Sequence, residues 1–256
     1  MSNSFFRILT AGMVVAGVAS CTTPSERMVQ GDCSTVYGGE VCTWGKMSGS
    51  DVAEFGATIP LSTIENAPLE GEMTFPPVAL ARIPLPPEVA RATGVDHLGV
   101  NWEMHGHPPG TFLTPHFDFH FYTASGQEIE AIDCSDTSKP ASLPADYVLP
   151  DLEIPGMGTL VGVCVPQMGM HAIRAEEVNA SELFGASLIV GYYGGQVVFV
   201  EPMIARDKLL GRESFQLDVP AVNDAGDSVS WPTGFAAVYD EEAQSYQFVF
   251  SVPRTG

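Results

Sequence analysis

Four of the six histidines of this 256-residue chain fall within Met104–His120, a stretch that also carries Asp118. His105-Gly106-His107 and Asp118-Phe119-His120 are both spaced i, i+2. Side chains in a strand repeat on one face every second residue, about 7 Å apart, so each pair can converge on one ion. His116 and His120 are four residues apart. Their Cα atoms would lie roughly 13 Å apart in a strand, so they cannot share an ion unless the strand bends. Two further candidates lie downstream, His171 in Val165-Pro166-Gln167-Met168-Gly169-Met170-His171 and Glu201 after Val198-Phe199-Val200. The candidate set is therefore His105, His107, His116, Asp118, His120, His171 and Glu201. Imidazole and carboxylate are borderline-to-hard donors, which points to one divalent ion, Zn²⁺ or Fe²⁺. His107, His120 and His171 are expected as core ligands, with Asp118 or Glu201 completing the shell and His105 or His116 orienting a ligand ring. His97, at the far end of its strand, is expected to stay outside. Met157, Met168, Met170 and Met203 could act as soft copper ligands, or serve as core filler.

The elements that must position these groups are strands. From His97 to Met104, Leu98, Val100, Trp102 and Met104 alternate with His97, Gly99, Asn101 and Glu103. From His116 to Tyr122, the three Phe alternate with His116, Asp118, His120 and Tyr122. A hairpin around Pro108-Pro109-Gly110 would place His105 opposite His116, Glu103 opposite Asp118 and Asn101 opposite His120, all on one face. Facing carboxylates among several imidazoles would be costly without a cation. The alternative is an exposed face with each group solvated. Other expected elements are strands near Glu40–Trp44, Phe55–Pro60, Thr159–Val165, Phe215–Val219, Phe235–Tyr239 and Tyr246–Val252. Ser187–Tyr193 and Gln196–Glu201 should form a hairpin about Gly194-Gly195. Short helices are expected at 84–94, started by Pro and ended by Gly94, and at Ile204–Leu210, with a helical turn at Ser181–Phe184. Residues 135–156 carry four prolines and read as an extended loop. With 20 Pro and 26 Gly, a helical bundle is disfavoured. The fold class is mainly β, a single-domain antiparallel sandwich or barrel with short helices.

The N-terminus reads as a processing segment. One basic residue, Arg7, precedes the apolar run Ile8–Val18, too short for a membrane span but suited to a signal peptide. Val18-Ala19-Ser20-Cys21 resembles the bacterial lipobox, which implies acylation of Cys21 and attachment to a lipid bilayer. Thr22, not an acid, follows the cysteine, and the sorting pattern of such lipoproteins then implies the outer membrane, facing the periplasm or exterior. This divides the chain into a signal peptide at 1–20, a lipidated tether at 21–30 and one β-rich domain at 31–256. Cys33, Cys42, Cys134 and Cys164 form an even set without a Cys-x-x-Cys pair. In an exported protein they read as two disulfides, Cys33–Cys42 and Cys134–Cys164 by proximity in sequence. The net charge of −20 would repel phosphate backbones, which argues against nucleic-acid binding. There is no P-loop or Gly-x-Gly-x-x-Gly for a nucleotide cofactor, and no Gly-x-Ser-x-Gly elbow.

His-Gly-His-Pro-Pro, Pro-His-Phe-Asp-Phe-His-Phe-Tyr, Pro-x-Met-Gly-x-His and Glu-Pro-Met-Ile, in that order over roughly residues 55–210, resemble a family of uncharacterised exported bacterial proteins. The resemblance implies a shared site from the residues above and supplies no reaction. The site is also weakly similar to that of cupins: Pro166-Gln167-Met168-Gly169-Met170-His171 is one residue short of their Pro-x-Gly-x-x-His, and no Glu follows His-x-His. Three functions fit: a metal-dependent enzyme, a non-catalytic metal-binding protein, or a structural or assembly lipoprotein of the cell envelope whose histidines form a hydrogen-bonded network. An oligomer is compatible with the sequence.

Overall fold

The computed structural model describes residues 25–253 apart from 73, 155, 157, 224 and 227. The expected signal segment, Cys21 and Met157 lie outside the described residues. The first strand, β1 (Glu26–Val36), pairs with β2 (Gly39–Ser48), which pairs with β3 (Asp51–Pro60). The tether reading therefore stops short: residues 26–30 belong to a sheet edge. Their polar composition resembles a linker, but the backbone bonds to β2 satisfy it.

Two antiparallel sheets form a sandwich, and neither closes into a barrel. The second sheet is built from β4 (Ala81–Pro84), β5 (His97–Glu103), β6 (His116–Tyr122), β7 (Tyr147–Val148), β10 (Met170–Arg174), β11 (Ala186–Tyr193) and β12 (Gln196–Ala205). Its strand order is β4-β5-β6-β12-β11-β10-β7. A small separate hairpin joins β8 (Leu152–Ile154) to β9 (Gly158–Leu160). The first sheet is completed by β13 (Phe215–Leu217), β14 (Gly234–Asp240) and β15 (Ser245–Ser251), in the order β1-β2-β3-β15-β14-β13.

The three phenylalanines of β6 point into the sandwich. Phe121 meets Phe55 at 5.9 Å and Phe250 at 5.0 Å between ring centroids, and Phe119 meets Phe248 at 4.8 Å. Such aromatic contacts contribute about 0.5–1.5 kcal/mol each beyond area burial. This packing fixes which face of β6 turns outward, and so places His116, Asp118 and His120 on the opposite face. That face is not solvated: every residue of β5 and β6 is buried, because loops and the β8–β9 hairpin cover it.

Several elements differ from expectation. Residues 159–165 split between β9 and a 3₁₀ turn at Val161–Val163, and Thr159 is exposed. Ser181–Phe184 has no helical turn. The strand expected to end at Glu201 runs on to Ala205, so the helix after it is only Arg206–Leu210. The loop at 135–156 contributes β7 and β8. The helix begun by proline is Pro87–Thr93, closed by Gly94 at φ 74°. Two more short helices occur, Leu61–Glu65 and Gly126–Glu130, the latter with Ser125 and Glu128 capping each other.

Both disulfides are present, Cys33–Cys42 and Cys134–Cys164. They fit an oxidising compartment outside the cytoplasm. The first links paired positions of β1 and β2. The second anchors the segment carrying Val163 and Val165, which roofs the polar face. No described helix is long and apolar enough to cross a membrane.

Candidate metal centre

β5 and β6 pair with Glu103 opposite His116, Asn101 opposite Asp118 and Gly99 opposite His120. This is a slip of two residues from the expected register. A shift of two preserves which face each side chain occupies, so the polar groups still gather. On the other flank of β6, β12 sets Met203 beside Asp118 and Ala205 beside His116. The same register brings the Glu201 carboxylate to 3.6 Å from His120 Nε2. β10 adds His171, paired with Gly191 of β11. Gly191 has no Cβ because the Phe199 ring lies where it would stand, 2.1 Å away. That ring packs edge-on to His120 at 4.8 Å and tilts against His171 at 5.1 Å.

The candidate residues separate into two groups. His107, His116 and Asp118 offer one, and His120, His171 and Glu201 the other, with ligand atoms within 4.8 Å of one another in each. Each group is two imidazoles and a carboxylate. The single ion with His107, His120 and His171 together is not what the geometry provides: His107 belongs with His116, and His120 with His171. Asp118 sits between the two histidines of its own strand and near Glu201 and Glu103, so the groups lie side by side.

His105 joins neither group and is exposed. β5 ends at Glu103, and Gly106 turns the chain at φ 66°. A Cβ on Gly106 would fall 2.0 Å from the Phe112 carbonyl oxygen. The turn breaks the strand alternation, sending His105 outward and returning His107 to the site. His97 is held by Asp96, with Nδ1 2.8 Å from the carboxylate, and also lies outside both groups. Met168 and Met203 line the cavity above the groups, and Met170 packs in a separate apolar cluster.

Backbone carbonyls fix the tautomers of three rings. His107 Nδ1–H donates to Pro108 O at 2.9 Å, His116 Nδ1–H to Thr114 O at 2.7 Å, and His171 Nδ1–H to Val163 O at 3.1 Å. A carbonyl can only accept, so Nδ1 carries the proton and Nε2 keeps its lone pair, the state a metal ligand needs. Among the described residues, His116 Nε2, Asp118 Oδ1, Glu201 Oε2, Glu103 Oε1 and both nitrogens of His120 are buried without a hydrogen-bond partner. His116 Nε2 and Asp118 Oδ1 stand 3.4 Å apart without hydrogen-bond geometry.

Burial is the main cause of every pKa displacement here. It holds His107 below the usual imidazole range and His120 well below it, takes His116 down to about 3 and His171 to about 4, and neighbouring imidazoles reinforce the last three. It raises Glu103 to about 7. Asp118 is pushed well above its ordinary value by burial, then by Glu201 and Glu103, and Glu201 by burial, then by Glu103. Burial therefore favours the neutral forms of these imidazoles and carboxyls, and a divalent cation would reverse the carboxyl preference.

A cavity of about 480 Å³ opens over the site, bordered by His107 and Asp118 from one group and His171 and Glu201 from the other. Glu103 lines it as well. The sequence reading placed Glu103 on the correct face but not among the ligands; its even spacing from Asn101 and Gly99 was the available signal. The carbonyls of Pro108, Thr114 and Val163 left no sequence signal, since any residue supplies one. No protein-family model, no curated protein and no solved structure matches this chain. Its own residues show His/carboxylate groups placed so that they can hold metal.

Proposed function

We propose that this chain is an exported lipoprotein of the bacterial cell envelope and a metal-dependent enzyme, with one divalent ion, Zn²⁺ or Fe²⁺, in each His₂-carboxylate group. The observation that carries the reading is the set of buried nitrogen and oxygen atoms left without partners in both groups, beneath a cavity. Leaving a buried polar group unpaired costs about 1–3 kcal/mol, and more for a charged one. A structural hydrogen-bonded network would pair these atoms. A storage site would close a fourth protein ligand over each ion, whereas a three-ligand group with two of its members bordering a cavity leaves a position for water or substrate. Two histidines and one carboxylate suit Zn²⁺ as an activator of water and Fe²⁺ in oxygen chemistry. The resemblance to exported proteins and the two disulfides support the envelope location.

Elemental analysis of the tag-free chain, reconstituted with Zn²⁺ or Fe²⁺ and dialysed, is expected to find two ions per chain. The Co²⁺ form should show visible bands that shift on adding azide, because an exogenous ligand can enter. A chain that takes up no metal rejects the reading. A Co²⁺ spectrum indifferent to azide rejects the enzyme in favour of a closed binding site. Separately, Cys21→Ser is expected to release the protein from the membrane fraction. If the variant fractionates with membranes as the parent does, acylation at Cys21 is not the anchor.

A further inference from the structure

The cavity has walls of one kind and a floor of another. Phe75, Phe112, Ile154, Val163, Ile189 and Met203 are among its walls, and among the described residues its ionisable lining is Glu103, His107, Asp118, His171 and Glu201, all at the site. Among the described residues no lysine or arginine reaches it. At about 480 Å³ it falls within the size range of small-molecule pockets, about 300–1,000 Å³. Phe75, at the cavity and half exposed to solvent, belongs to a surface segment that also carries exposed Val78, so the space communicates with bulk water. Thr74 is the one hydroxyl among the described wall residues, too few donors and acceptors for a sugar or a nucleotide, most of whose hydroxyls would be buried unpaired. The walls suit a hydrocarbon body.

The head group follows from charge, resting on the metal reading above. Two divalent ions bring four positive charges. Asp118, Glu201 and Glu103 bring three negative ones, and the imidazoles are neutral as ligands. One positive charge then stays uncompensated in an apolar enclosure, which is unfavourable unless an anion joins it. We infer that the cavity binds a small molecule with an apolar body and a single anionic, metal-ligating head, a monocarboxylate of medium chain length. The carboxylate would meet the ions held by the two groups at the floor, and the chain would lie along Phe112, Ile154 and Ile189.

Isothermal titration of the full chain tests this with decanoate, decanol and acetate, with metal content measured on the same samples. For the Zn²⁺-loaded protein, decanoate is expected to bind at least about 100-fold more tightly than acetate, because the tail is buried. It should bind at least about tenfold more tightly than decanol, because the head meets the ions. Removing the metal should abolish the preference for decanoate over decanol. Ile154→Asp, on the β8–β9 hairpin away from the ligands, should keep the full metal content and weaken decanoate at least about tenfold. Equal binding of decanoate and decanol to the loaded protein overturns the anionic head, and equal binding of decanoate and acetate overturns the apolar body. A loaded protein that binds none of the three overturns the inference while its metal content leaves the metal reading standing. A chain that takes up no metal overturns both.

Discussion

His120→Ala is expected to carry one metal ion per chain where the parent carries two. His120, His171 and Glu201 form one group, and His107, His116 and Asp118 the other, so removing an imidazole from one leaves the second with its three donors. Loss of a group that only orients a ligand ring weakens metal binding about 10–100-fold. Loss of a direct ligand from a three-donor group should exceed the upper end of that range. His107→Ala should behave the same way at the other group, and the double variant should bind none. His97→Ala is the control. His97 is buried and engaged with Asp96, and it belongs to neither group, so both ions should remain. Elemental analysis after dialysis gives the answer directly, and circular dichroism shows whether each variant has kept its sheets. If the His120→Ala protein holds as much metal as the parent, the assignment of that group is wrong. If either single alanine empties the whole site, the two groups are one centre.

How much of this was legible in the sequence depended on whether a residue's partner was local. β5 and β6 could be read almost to the residue, because one face of each is consistently apolar and the phenylalanines at 117, 119 and 121 had to face a core. The separation of His116 from His120 already kept those two from sharing an ion, since a straight strand holds them roughly 13 Å apart, but the single ion expected at His107, His120 and His171 did not follow that separation through to two groups. The register between the two strands was not legible. The loop spends its residues on bonds of its own, with Gly106 N–H donating to Glu103 O, His107 N–H to Phe112 O and Thr114 N–H to Phe112 O. Those bonds lengthen the connection beyond a tight hairpin about Pro108-Pro109-Gly110. The error was even, so every group except His105 kept its face, and His105 failed because it lies beyond the strand end. The pairing of His120 with Glu201 and His171 depends on the order of β12, β11 and β10 in the sheet. Nothing in the local pattern of those segments encodes that order. β10 is largely buried on both faces, so it shows no alternation, and β1 is polar enough to pass for a linker.

Metal should stabilise the protein far more at pH 8 than at pH 5.5, and the cause is the carboxyls rather than the histidines. An expectation based on ordinary imidazole would put the loss of metal affinity near pH 6.5. In the folded chain His116 is lowered to about 3 and His171 to about 4, so protons do not compete for those rings until well below that pH. Glu103 is raised to about 7, and Asp118 and Glu201 are raised as well, so protons compete for the carboxylates through neutrality. In the metal-free protein the lowered histidines make the unfolded chain the better proton binder below about 6.5, and stability is lost as pH falls through that range. The raised carboxyls make the folded chain the better proton binder above the ordinary carboxyl range, and stability is lost as pH rises toward and through 7. At pH 8 Glu103 is ionised beside two other acids in an apolar site, the state a cation relieves most. Bound Zn²⁺ at about 100 times its Kd contributes about 2.7 kcal/mol per ion, which for two ions in a chain of this size raises Tm by about 10–20 °C. The full rise is expected at pH 8 and a clearly smaller one at pH 5.5, measured by thermal melts with and without Zn²⁺. Uptake at pH 7 should also release protons, detectable as a binding enthalpy that changes with the ionisation enthalpy of the buffer. A Tm rise equal at the two pH values, together with no proton release, would show that these carboxyls do not hold the metal.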